Sequence, residues 1–404
     1  MSVISEERKL PSTWRWVRCQ DVVDVRDGTH DTPTKTNFGI PLITSKNLTP
    51  QGIDFSNITY ISEEDYQSIE KRSAVDDGDV LFAMIGTIGN PVIVKKDRQF
   101  SIKNVALFKL NKSLYYPPFF KELLNTSIIR KQLARNTKGG NQKFVSLSVL
   151  RDLVIPLPPL EEQKRIAEIL DRAQSLISKR REAIGQLDTL TQAIFIEMFG
   201  DPVTNPKGWS VLYFNNLLSM PLRNGLSPSN IGKVMSKVLT LSAITGSAFD
   251  ENAWKTSTFQ SVPPITQRVD QSDFLICRGN GNIQLVGKGY FPTQQMPEVT
   301  FPDTMIAARI LPEVIERQFL QHIWNSSAVR RQLETLARTT NGTFKVNQTM
   351  LEGVLFVVPP LPLQQEFARR AEAVEKLKTA HRTSLSELHA LFASLQHRAF
   401  RGEL

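Results

Sequence analysis

Residues Pro156–Gly200 read PLPPLEEQKRIAEILDRAQSLISKRREAIGQLDTLTQAIFIEMFG, and this stretch decides how the rest of the chain is organised. Apolar side chains recur in it at alternating steps of four and three residues, the heptad pattern of a helix that packs along one seam. Acidic residues at its start and Gly200 at its end are expected helix start and stop signals. About 40 residues make a rod of roughly 60 Å, too long for one compact domain to bury. The predicted seam consists of Ile166, Leu170, Ala173, Ile177, Arg180, Ile184, Leu187, Thr191, Ile194 and Met198.

The same pattern recurs 201 residues further along the chain, in a second predicted helix. Its lead-in Pro359-Pro360-Leu361 repeats Pro158-Pro159-Leu160, and eight of the ten seam positions are apolar in each copy. One such seam is typical of an ordinary core helix. Two seams in the same register predict that the helices pack against each other as a coiled coil. The second seam consists of Phe367, Ala371, Val374, Lys378, His381, Leu385, Leu388, Phe392, Leu395 and Ala399.

The segments that precede the two helices also repeat, and both are rich in predicted strands. Trp14 and Trp209 each begin an alternating run, and the glycine-rich loops MIGTIGNP and CRGNGNIQ each follow a strand-like segment. A helical segment NTSIIRKQL in the first block matches NSSAVRRQL in the second, and Ser62 is predicted to cap a short helix.

These repeats predict an α+β fold with a pseudo-twofold internal repeat. Two β-rich domains, residues 1–157 and 201–358, are expected to alternate with two long helices, residues 158–200 and 359–404. If the helices pack antiparallel, the two domains are expected at opposite ends of the helix pair.

Composition and charge exclude several classes of protein. The 404-residue chain has a net charge of +9. Residues 1–160 hold 22 Lys and Arg against 17 Asp and Glu, and residues 201–360 hold 14 against 11, so these blocks carry +5 and +3. This excess is a weak indication of nucleic-acid binding. No apolar run predicts a membrane span or a signal peptide, and Cys19 and Cys277 predict neither a disulfide framework nor a zinc site. We therefore expect a reduced, cytoplasmic protein.

The sequence lacks the motifs of catalysis. The glycine-rich loops lack the lysine and the spacing of a phosphate-cradling loop, and no H-E-x-x-H or cysteine cluster predicts a metal site. Tyr116-Pro117-Pro118-Phe119 differs in its first residue from an N-P-P-Y-like methyltransferase motif, and the segment 302–318 lacks the lysine of a P-D…E-x-K nuclease site. These gaps favour a non-catalytic recognition or scaffold protein without a cofactor of its own.

Six segments carry a close resemblance to a known family. LPSTWRWVRCQDVVDVRDGTHDTP, GIPLITSKNLTPQGIDF and GDVLFAMIGTIGN resemble the first target-recognition domain of the DNA-specificity subunit of type I restriction–modification enzymes. PLPPLEEQKRIAEILD, EMFGDPVTNPKGW and LFASLQHRAFRGEL resemble its two repeated helical regions. The resemblance covers essentially the whole chain, with a weaker match in the second recognition domain.

The resemblance implies a non-catalytic subunit that binds double-stranded DNA and, through its helices, two methyltransferase subunits. S-adenosylmethionine, ATP and Mg are then expected only in partner subunits, which include motor-nuclease subunits. Two different basic domains separated by a long helix pair predict a bipartite, asymmetric target, with the helices setting the unread spacer.

Loops rich in basic and amide side chains are the predicted DNA contacts, although any single one can be a solvated loop charge. Lys and Arg contact phosphates, whereas Arg reads guanine and Asn or Gln reads adenine. Arg278 and Asn280 are the predicted base readers of the second domain, and Lys138 and Lys143 are predicted phosphate contacts in the first. The predicted residues of the first domain are Arg26, Thr29, His30, Lys46, Asn47, Thr87, Asn90, Lys138, Asn141 and Lys143. Those of the second are Arg223, Asn224, Arg278, Asn280, Asn282, Gln284, Arg338, Asn341 and Lys345.

Two other interpretations remain open on the sequence alone. The chain could be a complete enzyme with its own methyl-transfer or nuclease site, which the missing motifs disfavour. It could also be a coiled-coil scaffold or adaptor whose β-rich blocks bind other proteins. Basic loops at matching places in both blocks favour DNA over that alternative.

Overall fold

A computed structural model of the chain describes residues 10–31, 33–136, 144–340 and 342–404. It divides into two compact units. Unit 1 comprises Met1–Glu182 with Arg382–Leu404, and unit 2 comprises Ala183–His381. The division cuts across both long helices, so each unit holds one β-rich domain together with part of each helix.

Unit 1 contains twelve strands and five short helices among its described residues, followed by the first part of the first long helix. Its strands are β1 (Arg15–Arg18), β2 (Asp24–Asp27), β3 (Lys35–Thr36), β4 (Ile40–Ile43), β5 (Leu48–Thr49), β6 (Gly52–Ile53), β7 (Thr59–Ile61), β8 (Val80–Ala83), β9 (Gly89–Ile93), β10 (Ser101–Ile102), β11 (Val105–Lys109) and β12 (Val154–Leu157). Its helices are α1 (Cys19–Val22), α2 (Glu63–Ser73), α3 (Pro117–Leu124), α4 (Ser127–Asn136), α5 (Leu147–Arg151) and the long α6 (Leu160–Phe199). The predicted cap of α2 is confirmed, since the Ser62 hydroxyl accepts a hydrogen bond from the backbone N–H of Asp65 at 3.1 Å.

Two four-stranded sheets form the body of unit 1, in the orders β2-β11-β8-β9 and β10-β4-β7-β3. The central strand β8 is buried along its whole length, so its alternating side chains face two different cores. Val80 and Phe82 pack in the core that includes the helices, whereas Leu81 and Ala83 pack in the core that includes the second sheet. The first sheet is therefore covered on both faces, which explains why its central strand has no polar side chain.

Unit 2 repeats this plan with its own strands. They are β13 (Ser210–Tyr213), β14 (Arg223–Asn224), β15 (Val234–Leu239), β16 (Trp254–Phe259), β17 (Arg268–Val269), β18 (Asp273–Cys277), β19 (Gly279–Asn280), β20 (Gly289–Tyr290), β21 (Met296–Thr300), β22 (Met305–Arg309), β23 (Arg338–Thr340), β24 (Thr343–Lys345) and β25 (Leu355–Val358). Its helices are α7 (Ser242–Thr245), α8 (Arg317–Trp324), α9 (Ser327–Leu336), α10 (Gln348–Glu352) and the second long helix, α11 (Leu361–Ala399).

The central sheets of the two units correspond strand for strand, but their second sheets differ in part. The order β14-β22-β18-β20 in unit 2 matches β2-β11-β8-β9 in unit 1. In the second sheets, β4 and β15 each lie between one parallel and one antiparallel neighbour. The fourth strand then joins the antiparallel neighbour in unit 1 and the parallel neighbour in unit 2. The internal repeat is thus closest in the sheet that packs on the helices.

All twenty predicted seam positions of α6 and α11 are buried or half-buried, which confirms the predicted seams. In unit 1 the start of α6 lies beside the end of the chain, where Arg165 Nη2 donates to the carbonyl oxygen of Leu404 at 2.6 Å. In unit 2 the end of α6 lies beside the start of α11, where the rings of Phe195 and Phe367 are 5.5 Å apart. The two helices therefore run antiparallel in each unit, as predicted.

One buried charge distinguishes the second seam from the first. Lys378 is buried and forms ion pairs with Asp188 of α6 at 3.0 Å and with Glu375 of its own helix at 2.6 Å. The corresponding residue of the first seam is Ile177, which is also buried. A polar group at a single seam position fixes the register of a coiled coil at some cost in stability. The pair with Asp188 is therefore consistent with a role in fixing the alignment of the two helices in unit 2.

A buried glutamine ties each long helix to the domain that precedes it in the chain. Gln163 Oε1 accepts a hydrogen bond from the backbone N–H of Tyr116 at 2.8 Å, and its Nε2 donates to the carbonyls of Leu114 and Pro158, both at 3.0 Å. Since buried polar groups without partners are costly, these three bonds fix the start of the helix. The corresponding bonds of Gln364 join Glu316 N–H, the Val314 carbonyl and the Pro359 carbonyl, at 2.8, 3.1 and 2.7 Å.

The half-buried imidazole of His322 is expected to make unit 2 sensitive to acid. The ring of His322 packs 4.7 Å from that of Phe195 and 5.1 Å from that of Phe367, and its Nε2 is buried without a hydrogen-bond partner. Burial, with a contribution from the charge of Lys378, lowers the pKa of the imidazole to about 4. In the unfolded chain the pKa returns to roughly 6.5, so only the unfolded chain takes up a proton between these values. Its stabilising effect is complete above the unfolded pKa and is lost as the pH falls from 6.5 towards 4.

We expect the free energy of unfolding of unit 2 to fall by about 2 kcal/mol between pH 7 and pH 5 because of His322 alone. His322→Phe should remove that loss, since a phenyl ring fits the same aromatic surroundings without titrating. Urea unfolding at the two pH values measures the difference, with the exposed His397→Gln as the matched control. An equal acid sensitivity in wild type and His322→Phe would contradict this origin.

Candidate nucleic-acid interface

Two predicted DNA-binding loops of the second domain come together in one small sheet, although they lie far apart in the sequence. Strand β24 pairs with β19 on one side and with β23 on the other. Lys345 consequently lies directly opposite Gly279 in one neighbouring strand and Arg338 in the other. We refer to β19, β24 and β23 as the hairpin sheet. It unites the segments 278–284 and 338–345 in one surface.

The charges of the hairpin sheet suit an anionic partner. Arg338 and Lys345 oppose each other on neighbouring strands, and like charges at such positions destabilise an isolated sheet. Both side chains are exposed, and neither has an ion-pair partner in the described part of the chain. An anion bound along the strands would relieve the repulsion, and DNA phosphates supply such charges.

The turn that follows β18 presents amide side chains beside the hairpin sheet. Asn280 Oδ1 accepts a hydrogen bond from the N–H of Asn282 at 2.9 Å, and Asn282 Oδ1 accepts one from the N–H of Gln284 at 3.0 Å. Asn282 and Gln284 are exposed. Arg278 is half-buried and donates from Nη1 to the carbonyl of Asp303 at 3.1 Å. These hydrogen bonds stabilise the backbone of the turn. The exposed amide groups of Asn282 and Gln284 are available for hydrogen bonds to the edge of a base.

Arg223 has partners within the fold. Its Nη2 lies 2.5 Å from Oδ1 of the fully buried Asp273, and its Nη1 donates to the carbonyl of Thr266. Arg309 also contacts Asp273, at 2.8 Å. Because a buried carboxylate without a cation is costly, this geometry supports a structural role for Arg223, whose side chain is 17% exposed. The adjacent Asn224 is exposed, and DNA contact by either residue remains a prediction.

The corresponding turn of the first domain is organised around two carboxylates. Arg26 donates from Nε and Nη2 to Oδ2 of Asp24 at 2.9 and 2.6 Å. The exposed imidazole of His30 lies 2.9 Å from Oδ1 of Asn104 and 2.8 Å from Oδ2 of the buried Asp27. Hydrogen bonds with Asn104 and then with Asp27 raise the pKa of His30 above its ordinary value. These contacts hold a potential cation at the surface.

The remaining described residues of the first domain differ in accessibility. Lys46 and Thr87 are exposed, Thr29 is half-buried, and Asn90 is half-buried with a left-handed backbone conformation, φ +46°. Asn47 is buried, and its side chain closes the loop that precedes β5, which supports a structural role. Its side-chain partners are Thr44 N–H at 3.0 Å, the Asp54 carbonyl at 3.1 Å and the Asn57 carbonyl at 3.2 Å.

Four predicted residues, Lys138, Asn141, Lys143 and Asn341, lie outside the described residues. Within the described ranges, no group of three or more His, Cys, Asp or Glu side chains could hold a metal ion. Among the same described residues, no helix is both long enough and apolar enough to cross a membrane.

Exposed leucines on the long helices form a feature that the sequence analysis missed. Leu176 and Leu391 are 53% and 50% exposed in unit 1, and Leu377 and Leu190 are 52% and 42% exposed in unit 2. Each precedes a seam position by one residue, and Leu176 and Leu190 recur 201 residues later as Leu377 and Leu391. That recurrence was the available signal. These leucines lie outside the ten seam positions, so the heptad pattern alone does not single them out.

Known proteins resemble this chain in sequence and in fold. Residues 11–186 match the model described as the type I restriction modification DNA specificity domain. The specificity subunit of the Escherichia coli (strain K12) type I restriction enzyme EcoKI is 22% identical over 425 residues, which cover 98% of this chain and 90% of that protein.

Two solved structures share the fold. A chain from a type I R-M system studied for complex assembly and conformational transition superposes with a TM-score of 0.63, at 20% identity over 98% of this chain and all of that one. The type I restriction–modification S subunit from M. genitalium superposes with a TM-score of 0.56, at 13% identity over 98% of each chain. With two β-rich domains and an antiparallel pair of long helices, the chain shares the fold of these structures, and it is similar over nearly its whole length to type I restriction enzyme specificity subunits.

Proposed function

We propose that this chain reads a bipartite, asymmetric DNA target with its two β-rich domains and positions methyltransferase subunits on that DNA. The observation that carries the proposal is the repeat itself, since one fold recurs with different loop residues at corresponding places. Two unlike domains recognise two unlike half-sites. The chain contributes recognition, and its partners supply the methyl-transfer chemistry and, where motor-nuclease subunits join, cleavage.

The hairpin sheet supports phosphate binding by the second domain. Arg338 and Lys345 are exposed, opposed and without an ion-pair partner among the described residues, whereas Arg223 is engaged with Asp273. Phosphate contacts of this kind set orientation and carry no sequence information of their own. Specificity then rests on side chains beside the hairpin sheet, with Arg278, the asparagines and Gln284 as the proposed base readers.

Arg338→Ala with Lys345→Ala is expected to weaken binding to cognate and non-cognate duplexes alike, by roughly tenfold at moderate salt. The slope of log affinity against log salt concentration should fall by about two, one for each lost phosphate contact. Fluorescence anisotropy of the assembled complex across a salt series measures both quantities.

The matched control is Arg369→Ala with Lys376→Ala, which removes the same charge from exposed positions of α11. An unchanged salt slope in the Arg338 and Lys345 variant would exclude the hairpin sheet as a phosphate-binding surface.

The exposed leucines support a methyltransferase seat in each unit. In unit 1, Arg181 Nη2 lies 3.1 Å from His389 Nε2, and this antiparallel register brings Leu176 to the level of the residues around Leu391. Both leucines flank the seam, so they form an apolar strip on the helix pair. Leu377 and Leu190 are the corresponding residues in unit 2. Each unit therefore offers one similar apolar surface, and the two surfaces together accommodate two copies of a methyltransferase subunit.

Mapping modified bases in cells with and without this gene tests the proposed function. We expect adenine methylation at a split motif that depends on the gene, and no methylation by the purified chain alone. An unchanged methylation map with the gene expressed would refute the proposal and favour a coiled-coil scaffold or adaptor. Access to chromosomal DNA leads us to expect the protein in the cytoplasm.

A further inference from the structure

Each domain exposes one large apolar side chain at the same point of its fold. Phe38 is 84% exposed and lies two residues before β4, and Ile231 is 83% exposed and lies three residues before β15. Strands β4 and β15 correspond, since each lies between one parallel and one antiparallel neighbour in its second sheet. We call the two segments the apolar tips.

In each apolar tip, a glycine allows the backbone to approach the neighbouring antiparallel strand closely. A Cβ on Gly39, which has φ +136°, would lie 2.4 Å from the carbonyl oxygen of Ile61 at the end of β7. A Cβ on Gly232 would lie 2.3 Å from the carbonyl oxygen of Phe259 at the end of β16. No side chain fits at either position, so both glycines are required for the close approach. The exposed residue therefore projects from an anchored backbone.

The residues around the apolar tips are of the types that contact nucleic acids. Asn37 precedes Phe38, and Asn230 precedes Ile231, and both asparagines are exposed. An exposed lysine is close by in each case, Lys35 in β3 and Lys233 after Gly232. Asparagine reads adenine, lysine contacts phosphate, and an apolar side chain contacts the thymine methyl group or enters a base step.

The apolar tips also continue from the turns that hold the predicted DNA contacts. Thr29, at the end of the β2 turn, bridges to Lys103 in parallel, and Leu226, after β14, bridges to Pro302 in parallel. From these equivalent bridges the chain crosses to the second sheet and reaches Phe38 or Ile231. The turn and the apolar tip are thus consecutive parts of one connection in each domain.

We propose that Phe38 and Ile231 make apolar contact with bases of the first and second half-site, and that Asn37 and Asn230 read the neighbouring base. This inference rests on the proposed function, because it assigns base-reading residues within it. In the free protein, an apolar side chain that is more than four-fifths exposed stays in contact with water, so its hydrophobic contribution to the stability of the fold is very small. In a DNA groove the same side chain loses its contact with water, which favours the bound state.

The test uses the complex of the full chain with its methyltransferase subunits and a duplex carrying the motif found by methylation mapping. Phe38→Ala should weaken cognate binding by about tenfold and leave non-cognate binding unchanged, since the lost contact is with a base. Phe38→Leu should retain most of the affinity. Ile231→Ala and Ile231→Val form the corresponding pair for the second half-site.

Two substitutions in the duplex distinguish the modes of apolar contact. Deoxyuridine in place of each thymidine removes one methyl group. If deoxyuridine at one position weakens DNA binding by wild type but not by Phe38→Ala, the Phe38 side chain contacts the methyl group at that position. 2-Aminopurine at successive steps reports unstacking, and a signal that Phe38→Ala abolishes identifies an inserted side chain. Either signature supports the proposal.

Leu114→Ala and Val203→Ala are the matched controls, because they remove apolar side chains that are 55% and 51% exposed in units 1 and 2. Equal cognate affinity in Phe38→Ala and wild type, with the same methylated motif, would overturn the inference. So would an equal loss on cognate and non-cognate DNA. Failure of the proposed function is distinguishable, since it would leave wild type without any gene-dependent motif.

Discussion

Replacing Leu176 and Leu391 by aspartate is expected to remove one methyltransferase subunit from the complex while leaving the chain folded. Both side chains are about half exposed, so the substitution does not disturb the core of unit 1. Covering each leucine contributes about 1 kcal/mol, and an unpaired carboxylate in an apolar contact costs several kcal/mol more. Two such changes weaken the contact by more than about a hundredfold. Mass photometry of the purified complex measures the subunit count.

The second pair provides an internal comparison. Leu190→Asp with Leu377→Asp should remove the other methyltransferase subunit to a similar extent, because these residues are the repeat counterparts in unit 2. With all four changed, methylation by the complex should fall to background. Ser175→Asp with Ser394→Asp adds the same charge to exposed positions of the same helices and should have little effect. Full occupancy after both leucine substitutions would refute the assignment of this surface.

The seams were predictable because they depend on a local period. A heptad pattern specifies which face of a helix is apolar, and all twenty positions proved to be buried or half-buried. The 201-residue repeat then identified the partner helix. Lys378 shows the limit of this reasoning, since its burial depends on Asp188 of the other helix, with which it pairs at 3.0 Å. A pattern read along one helix does not contain that contact.

The buried glutamines show the same limit in a different form. Their recurrence is visible in the sequence, but the bond from Tyr116 to Gln163 joins residues 47 positions apart. Helix propensity and hydrophobic period are silent about such a pair, because the glutamine is polar and interrupts neither pattern. Only the packed domain shows that Gln163 and Gln364 fix the starts of the long helices.

Residue types alone suggest the candidate interface, whereas its geometry depends on the fold. Residue type alone made Arg223 and Arg338 equal candidates for DNA contact. In the fold, Arg223 lies against the buried Asp273, whereas Arg338 is exposed opposite Lys345 in the hairpin sheet. Whether an arginine neutralises a buried carboxylate or faces solvent is decided by strand pairing. Phe38, which we propose contacts a base, is apolar, so a pattern of charged and amide side chains does not include it.

Lengthening both long helices by one heptad is expected to lengthen the unread spacer of the DNA target without changing either half-site. Seven residues inserted after Glu182 and seven after His381, copied from the adjacent heptads, preserve the phase of both seams. Seven residues add about 10.5 Å of helix, and each base pair spans about 3.4 Å. The proposed spacer function therefore predicts an increase of between one and about three base pairs, measured by mapping methylated adenines in cells that express the variant.

A two-residue insertion at the same two places is the appropriate control. It adds helix length but rotates each seam by about 200° with respect to the preceding turns, so the apolar faces point away from each other. We expect that variant to lose methylation altogether, which separates the effect of length from that of seam phase. A heptad variant that methylates the original motif with its original spacer would refute the spacer function. Altered half-site bases would refute it as well, because the residues proposed to read bases all lie in the β-rich domains and the insertions change only the helices.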